Sequence, residues 1–365
     1  MSRRRSTPGG SRSRRKSTSI TGLIISVLIV LLLTWRSHLL EQATSTPTVP
    51  ITAAAATTAP AAGGVAASPG AGVVGVFVEP DDGRRPILDE LAAAKRSVDL
   101  EVYLLSDNDV ITALIDADHR GVRVRVILEQ HPFGGAGRQP ETFARLQDSG
   151  VEVHWAPAPY RFAHIKTFVV DGAVAIIMNL NLTKTSFTGN REFGAITTRP
   201  GEVAEAATVF EADWAAAADP PDGPLVVSPS SSRRELLELI GSAQTSLDVY
   251  AEVVQDNESI AALVAAAKRG VTVRLIVPDE QDKEIRADYF QLMDDKVAVR
   301  TIPKLYVHAK LVVADERRAF IGSQNFTATS LDQNRELGLL IDDPALIGRL
   351  DRTFETDFAA GSPFA

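Results

Sequence analysis

The stretch Ala94-Lys-Arg-Ser-Val-Asp-Leu100 returns later in the chain as Ala243-Gln-Thr-Ser-Leu-Asp-Val249. A second stretch, Arg120-Gly-Val-Arg-Val-Arg-Val-Ile127, returns as Arg269-Gly-Val-Thr-Val-Arg-Leu-Ile276, and the offset is 149 residues in both cases. The second stretch alternates valine with arginine at residues 122–126, and an amphipathic segment that ends at a glycine lies between the two stretches. The sequence therefore predicts a strand–helix–strand unit that is present twice.

Further strands follow each unit, so that every copy contains a complete sheet with its helices. The predicted strands are Val98–Leu105, Val122–Glu129, Val151–Trp155, His164–Val170 and Ala173–Met178, then Leu247–Val254, Val271–Val277, Val297–Ile302, His308–Ala314 and Arg318–Ile321; the predicted helices are Val110–Arg120 and Ile260–Arg269. We expect an α/β fold of two similar sheet-and-helix halves, residues 73–221 and 222–365, packed face to face about a pseudo-twofold axis. Proline and glycine near residues 219–224 separate the halves.

The residues before the first half have a different composition. Residues 1–19 form a basic tail, residues 20–40 are mostly apolar, and residues 41–72 are rich in alanine, threonine and proline. We expect a cytoplasmic tail, one membrane helix and a disordered linker, with the catalytic body outside the cell membrane. A signal peptide that is cleaved, leaving a secreted protein, is the alternative.

Charge and cysteine content restrict the possible functions. The chain of 365 residues has no cysteine, which excludes disulfide scaffolds and thiol nucleophiles. Its formal net charge is -8, but seven basic residues lie within residues 1–16, so the remaining chain has a net charge of -15. An acidic body disfavours a nucleic-acid partner, since nucleic-acid-binding proteins present basic surfaces.

Five polar residues of the first copy return in the second copy at one offset, 144 residues. A single His-x-Lys pair would carry little information, but five matched positions indicate a functional site. The set consists of His164, Lys166, Asp171, Asn181 and Glu192, and of His308, Lys310, Asp315, Asn325 and Glu336.

The spacing also predicts how these side chains are grouped. Residues i and i+2 share one face of a strand, so His164 and Lys166 project together. A two-residue turn at Asp171-Gly172 would pair His164 with Asn179 and bring Asn181 beside it. The second copy repeats the arrangement with His308, Ser323 and Asn325.

The two motifs, His164-Ile-Lys-Thr-Phe-Val-Val-Asp171 and His308-Ala-Lys-Leu-Val-Val-Ala-Asp315, resemble the duplicated His-Lys-Asp motif of the phospholipase D superfamily. The resemblance extends from about residue 75 to the carboxyl end. It implies one active site between the two halves, complete in a single monomeric chain, and a phosphohistidine intermediate without a metal or another cofactor. Lipases, phosphatidyltransferases, cardiolipin synthases and nucleases all share these motifs.

The resemblance also implies a role for each residue. His164 is expected to be the nucleophile and His308 the acid and base, while the glutamate 28 residues after each histidine holds its far nitrogen. Asp171 and Asp315 are expected to shape turns away from the substrate. The phosphoryl oxygens would be neutralised by Lys166, Lys310, Asn181 and Asn325.

One departure from the superfamily pattern lies in the first copy. The second copy keeps the pair Gly322-Ser323 two residues before its asparagine, whereas the first copy has Met178-Asn179. The leading expectation is hydrolysis of phospholipid headgroup esters by a membrane-anchored enzyme. The alternatives are phosphatidyl transfer as in cardiolipin synthesis, nuclease activity, and a phosphate-binding module that the Met178-Asn179 change has weakened as a catalyst.

Overall fold

A computed structural model of the chain describes residues 72–135, 139–279 and 282–365. The predicted tail, membrane helix and linker lie outside these residues, except for Gly72. Among the described helices, none combines the length and the apolar character needed to cross a membrane.

The first half contains seven strands and five α-helices within the described residues. They are β1 (Val73–Glu79), α1 (Arg85–Ala93), β2 (Ser97–Val102), α2 (Asn108–His119), β3 (Arg123–Leu128), α3 (Gln139–Asp148), β4 (Glu152–Trp155), β5 (Lys166–Val170), β6 (Val174–Met178), α4 (Lys184–Thr188), β7 (Asn190–Thr197) and α5 (Pro200–Trp214).

The second half repeats this order and adds two short strands. Its elements are β8 (Val226–Ser228), α6 (Ser232–Ser242), β9 (Ser246–Ala251), α7 (Asn257–Lys268), β10 (Thr272–Ile276), α8 (Lys283–Asp294), β11 (Ala298–Thr301), β12 (Tyr306–Val307), β13 (Lys310–Ala314), β14 (Arg318–Gly322), α9 (Ala328–Asp332), β15 (Glu336–Ile341), α10 (Pro344–Ala360) and β16 (Ser362–Pro363).

The chain forms two mixed sheets of eight strands, and the first sheet includes β12 of the second half. The first sheet has the order β1-β7-β6-β5-β2-β3-β4, with β12 also paired to β7, and the second has the order β16-β11-β10-β9-β13-β14-β15-β8. Strands β2, β3 and β4 run parallel, whereas β5, β6 and β7 form antiparallel pairs. The predicted α/β fold of two similar halves is confirmed.

Aspartate caps explain why the two predicted helices begin earlier than their apolar residues. The side chain of Asp107 accepts hydrogen bonds from the backbone at the start of α2, and Asp256 does the same for α7. Such caps satisfy backbone N–H groups that have no partner within the helix. The helices therefore begin at Asn108 and Asn257 rather than at Val110 and Ile260.

The two sheets share one apolar core, and each also has a second core beneath its outer helices. In β5, Val169 belongs to the shared core, whereas Phe168 and Val170 belong to the outer core of the first half. Val312 of β13 lies in the outer core of the second half. Sheets buried on both faces require continuous apolar strands, which is what the sequence has at these positions.

The two halves exchange short segments just before their motif histidines. Strand β12 of the second half pairs with β7 of the first at Asn190 and Arg191. In the reciprocal contact, Ala163 forms a bridge with Arg335, and the backbone N–H of His164 donates to the carbonyl oxygen of Arg335 at 2.9 Å. Each histidine is therefore held beside a strand of the other half.

The predicted hairpin register is wrong by one residue in both halves. The turn itself forms, since Asp171 and Gly172 have φ values of 55° and 60° and the N–H of Ala173 donates to Val170. Ala173 is then left out of the ladder, so Val170 pairs with Val174. An extra residue of this kind shifts every pairing beyond it. His164 is therefore not opposite Asn179, and the same shift separates His308 from Ser323.

Candidate active site

Each motif histidine is hydrogen-bonded to a glutamate of the other half. The Nδ1 atom of His164 lies 2.8 Å from Oε2 of Glu336, and Nδ1 of His308 lies 2.7 Å from Oε2 of Glu192. The prediction that each glutamate binds the histidine of its own copy is wrong. The exchanged segments are the cause, because they place each histidine next to the strand that carries the glutamate of the other half.

Both glutamates are fully buried and their orientation is fixed by an asparagine. Asn190 donates to Oε1 of Glu192 at 2.9 Å, and Asn334 donates to Oε1 of Glu336 at 3.0 Å. A carboxylate held in this way accepts the Nδ1 proton of its histidine. The other ring nitrogen, Nε2, then carries a lone pair that can act as a nucleophile or a base.

Two buried arginines anchor the same strands. Arg191 forms an ion pair with Asp357 of α10 at 2.7 Å, and Arg335 pairs with Asp213 of α5 at 2.8 Å. These arginines are not among the predicted site residues. The tripeptide Asn-Arg-Glu, which occurs at the same place in both copies, is the sequence feature that indicates a role for them. Each pair ties a glutamate-bearing strand to the last helix of a half.

Both histidines line a single cavity of about 880 Å³ between the halves. Asn181 and Asn325 line it as well. Their Oδ1 atoms are buried and have no hydrogen-bond partner among the described residues. Polar atoms left in this state are available to a ligand.

The two motif lysines are fully buried behind their histidines. Lys166 and Lys310 each donate to the carbonyl oxygen of the histidine two residues before, at 2.6 Å. The ammonium of Lys166 also lies 5.1 Å from the ring centre of Tyr103. Burial lowers the pKa of Lys166 to about 7, so this lysine titrates near neutral pH.

Burial also lowers the pKa of His164 to about 4, and the nearby Lys166 acts in the same direction. Glu336 opposes this effect but does not overcome it. His164 is therefore uncharged at neutral pH. A neutral imidazole with its Nδ1 proton held by a carboxylate is suited to nucleophilic attack through Nε2.

Glu252 is a cavity residue that the sequence analysis missed. Its Oε2 atom lies 2.6 Å from Nζ of Lys310, 3.3 Å from Nδ2 of Asn325 and 3.6 Å from Nε2 of His308. Although burial opposes ionisation, His308 and Lys310 hold the pKa of Glu252 below its usual range. The repeat in the sequence is the signal that points to Glu252, because the offset of 149 residues aligns this residue with Tyr103.

The Met178-Asn179 pair is accommodated without a change at the cavity. Oδ1 of Asn179 accepts from the backbone N–H of Phe193 at 2.7 Å, as Oγ of Ser323 does from Leu337 at 3.1 Å. Met178 is fully buried in the outer core of the first half. The bond that serine makes in one half is thus made by asparagine in the other.

The motif aspartates lie at the turns and contact backbone. The carboxylate of Asp171 accepts from the N–H groups of Lys95, Arg96 and Ser97. Asp315 makes the equivalent bonds with residues 244–246. These bonds fasten each turn to the start of the neighbouring strand.

Comparison with known proteins places this site in a recognised family. Residues 87–214 and 236–358 match the family model described as "Cardiolipin synthase, PLD-like domain". Cardiolipin synthase 2 of Bacillus cereus is 26% identical over 331 residues, which cover 77% of this chain and 64% of that protein. The chain thus spans less than two thirds of the length of this relative.

Two solved structures share the fold. Polyphosphate kinase from Porphyromonas gingivalis matches with a TM-score of 0.62 and 17% identity, over 78% of this chain and 47% of that one. Phosphatidylserine synthase from Haemophilus influenzae matches with a TM-score of 0.60 and 13% identity, over 80% of this chain and 89% of that one. With both copies matched by the family model and both motifs at one cavity, the chain belongs to the cardiolipin synthase, PLD-like domain family of the phospholipase D superfamily.

Proposed function

We propose that this protein transfers the phosphatidyl group of a phospholipid to an alcohol through a phosphohistidine. The observation that carries the proposal is the pair of histidines at one cavity, each with Nδ1 bound to a buried glutamate and Nε2 left for chemistry. The names of the family and of the Bacillus cereus relative support transfer better than the hydrolysis that the sequence analysis placed first.

A phospholipid substrate is supported by the composition of the cavity wall. Aromatic side chains of Tyr103, Phe133, Phe162 and Tyr306 line it, and Phe133 is 79% exposed. Exposed aromatic residues at the rim of a polar site can contact the apolar part of a lipid. The two histidines lie within the same cavity, where the phosphate ester of such a lipid would be bound.

The difference between the two histidines supports distinct roles. His164 is neutral at neutral pH, and we assign it as the nucleophile. His308 has a carboxylate near each ring nitrogen, Glu192 at 2.7 Å and Glu252 at 3.6 Å. We assign His308, the histidine with a carboxylate near each ring nitrogen, as the group that protonates the leaving alcohol and deprotonates the acceptor.

A labelling experiment with the full chain tests both assignments. The substrate is a phosphatidyl ester of p-nitrophenol labelled at phosphorus, which needs no acid catalyst because nitrophenolate leaves unaided. With protein denatured in alkali during turnover, the parent and His308→Ala should carry label and His164→Ala should carry none. Label on His164→Ala but not on His308→Ala would reverse the roles, and label on no protein would refute the phosphohistidine.

The reaction itself is followed with phosphatidylglycerol in mixed micelles. Transfer gives cardiolipin and glycerol, whereas hydrolysis gives phosphatidate and glycerol. We expect cardiolipin to be the main lipid product of the parent protein. Phosphatidate alone at every lipid concentration would support hydrolysis instead, and the absence of any product would refute an action on this lipid.

A further inference from the structure

The two halves contribute unequal parts of the cavity between them. The first half supplies three aromatic side chains, Tyr103, Phe133 and Phe162, together with His164 and Asn181. The second half supplies the rest of the lining, in which Val253, Ile285 and Tyr306 accompany a larger set of polar and acidic residues that includes Glu252, Asp279 and Asn334. One side of the cavity thus fits an apolar group, and the other fits a group rich in hydrogen-bond donors.

Glu252 lies at the centre of the polar side. Its carboxylate contacts Lys310, Asn325 and the Nε2 side of His308, and Oε1 accepts a hydrogen bond from the hydroxyl group of Tyr306. The equivalent residue of the first half is Tyr103, which has no carboxylate. Lys166 instead faces the ring of Tyr103. The positive charge of Lys310 is therefore neutralised within the site, whereas that of Lys166 has no carboxylate at hydrogen-bond distance within the described part of the chain.

This difference separates the places for the two reacting groups. An anionic phosphoryl group is attracted to Lys166 more than to Lys310, because Glu252 neutralises the charge of Lys310. The leaving and entering oxygens must lie beside His308, which exchanges protons with them. An acceptor alcohol bound at His308 is consequently next to Glu252.

Other atoms on this side of the cavity are also hydrogen-bond acceptors. Asn334 is 95% buried, donates its Nδ2 hydrogens to Glu336, and leaves Oδ1 without a partner among the described residues. Asn325 donates to Glu252 and likewise leaves Oδ1 without a partner there. Buried hydrogen-bond acceptors without partners can bind the donors of a ligand. The hydroxyl groups of a polyol are such donors.

We propose that Glu252 is a specificity residue that accepts a hydrogen bond from a second hydroxyl group of the acceptor alcohol. The second half would thereby select a polyol, such as a glycerol headgroup, over water and over simple alcohols. This inference rests on the phosphatidyl transfer proposed above. An ammonium group is a poorer fit, because the ion pair with Lys310 at 2.6 Å leaves Glu252 little net charge to attract one.

The step that Glu252 influences is the second one of the reaction. The acceptor hydroxyl gives its proton to Nε2 of His308, and its oxygen forms a new bond to phosphorus while the phosphorus–nitrogen bond to His164 breaks. His164 recovers its lone pair, and the product is a phosphodiester. The second hydroxyl group does not react, so Glu252 affects the choice of acceptor and not the formation of the phosphohistidine.

Three acceptors with the same three-carbon chain test the inference with the full chain. The donor is the phosphatidyl ester of p-nitrophenol, and the acceptors are 1-propanol, 1,3-propanediol and 3-amino-1-propanol at equal concentrations. A charge-assisted hydrogen bond that only the diol can make should favour it over 1-propanol by about 10- to 100-fold. Glu252→Gln should reduce that preference, and Glu252→Met should abolish it. The preference is the ratio of diol product to propanol product within one variant, so a lower overall rate does not change what is measured.

Glu284→Gln is the matched control, since Glu284 is exposed at the start of α8 and does not line the cavity within the described residues. It should keep the preference for the diol. A parent protein with no preference, a preference for the amino alcohol, or Glu252 variants that keep the diol preference would each overturn the inference. The first two of these outcomes are measured on the parent protein alone, so they test the inference even if a variant does not fold. No lipid product with any acceptor would refute the proposed function itself.

Discussion

A double-mutant cycle on His164 and Glu336 measures the crossed pairing without any enzyme assay. Glu336 is fully buried, and its contact with Nδ1 of His164 spans 2.8 Å. At neutral pH His164 is uncharged, since its pKa is about 4, and Glu336 is ionised, since His164 and Lys166 lower its pKa despite burial. The bond therefore joins a neutral donor to a charged acceptor, which is worth about 1.5–3 kcal/mol.

We expect a coupling free energy of about 1.5–3 kcal/mol between His164→Ala and Glu336→Ala. The comparison cycle pairs His164→Ala with Glu192→Ala, the glutamate of the same copy, and should give less than about 0.5 kcal/mol because those side chains share no direct bond. Both cycles are measured by urea unfolding of the full chain at pH 7, followed by circular dichroism. A larger coupling within the same copy than across the halves would refute the crossed arrangement.

Three further predictions concern single residues. Lys166 must be protonated to attract the phosphoryl group, and its pKa is about 7, so kcat/KM should fall as the pH rises through about 7. Lys166→Arg should move this fall to higher pH. If the fall stays at the same pH in the variant, Lys166 is not its origin. Asp315→Asn should lower the free energy of unfolding by about 1.5–3 kcal/mol at pH 7. Since the pKa of Asp315 is lowered to about 2, the difference in stability between variant and parent should shrink as the pH falls toward 2. Equal stabilities of variant and parent at pH 7 would contradict the prediction. Asn179→Ser should keep phosphohistidine labelling and the free energy of unfolding close to those of the parent. Asn179→Ala should lower the free energy of unfolding by about 1–3 kcal/mol, because it leaves the N–H of Phe193 unpaired. Equal losses in both variants would contradict the inference that serine and asparagine make the same hydrogen bond.

Much of the fold could be predicted because the chain carries the same local signals twice. Alternating β-branched residues and glycine stops define strands and helices within about ten residues, and the repeat shows that both copies fold alike. The hairpin register could not be predicted, because the Asp171-Gly172 turn is the same whether or not Ala173 joins the ladder. That choice depends on how Asp171 binds the backbone of residues 95–97, far away in sequence.

The histidine–glutamate pairing depends on an even longer-range contact. Strand β12 has two residues, Tyr306 and Val307, and pairs with residues more than a hundred positions earlier. No local pattern marks so short a strand. The resemblance to the superfamily implies the right residue types and one shared site, but it places each glutamate with the histidine of its own copy. The exchange of segments instead pairs each histidine with the glutamate of the other copy.

The exchange also explains how a duplicated chain can carry out an asymmetric reaction. The crossed histidine–glutamate pairs are the same in both halves. Each histidine has a glutamate hydrogen-bonded to Nδ1, and both histidines have Nε2 left for the same cavity. A two-step displacement needs one imidazole that is neutral and one that carries a proton. Replacing the aromatic residue of one copy by a carboxylate, as at Tyr103 and Glu252, changes the charge around a single histidine and leaves the shared scaffold intact. The roles proposed for the two histidines follow this difference between the copies.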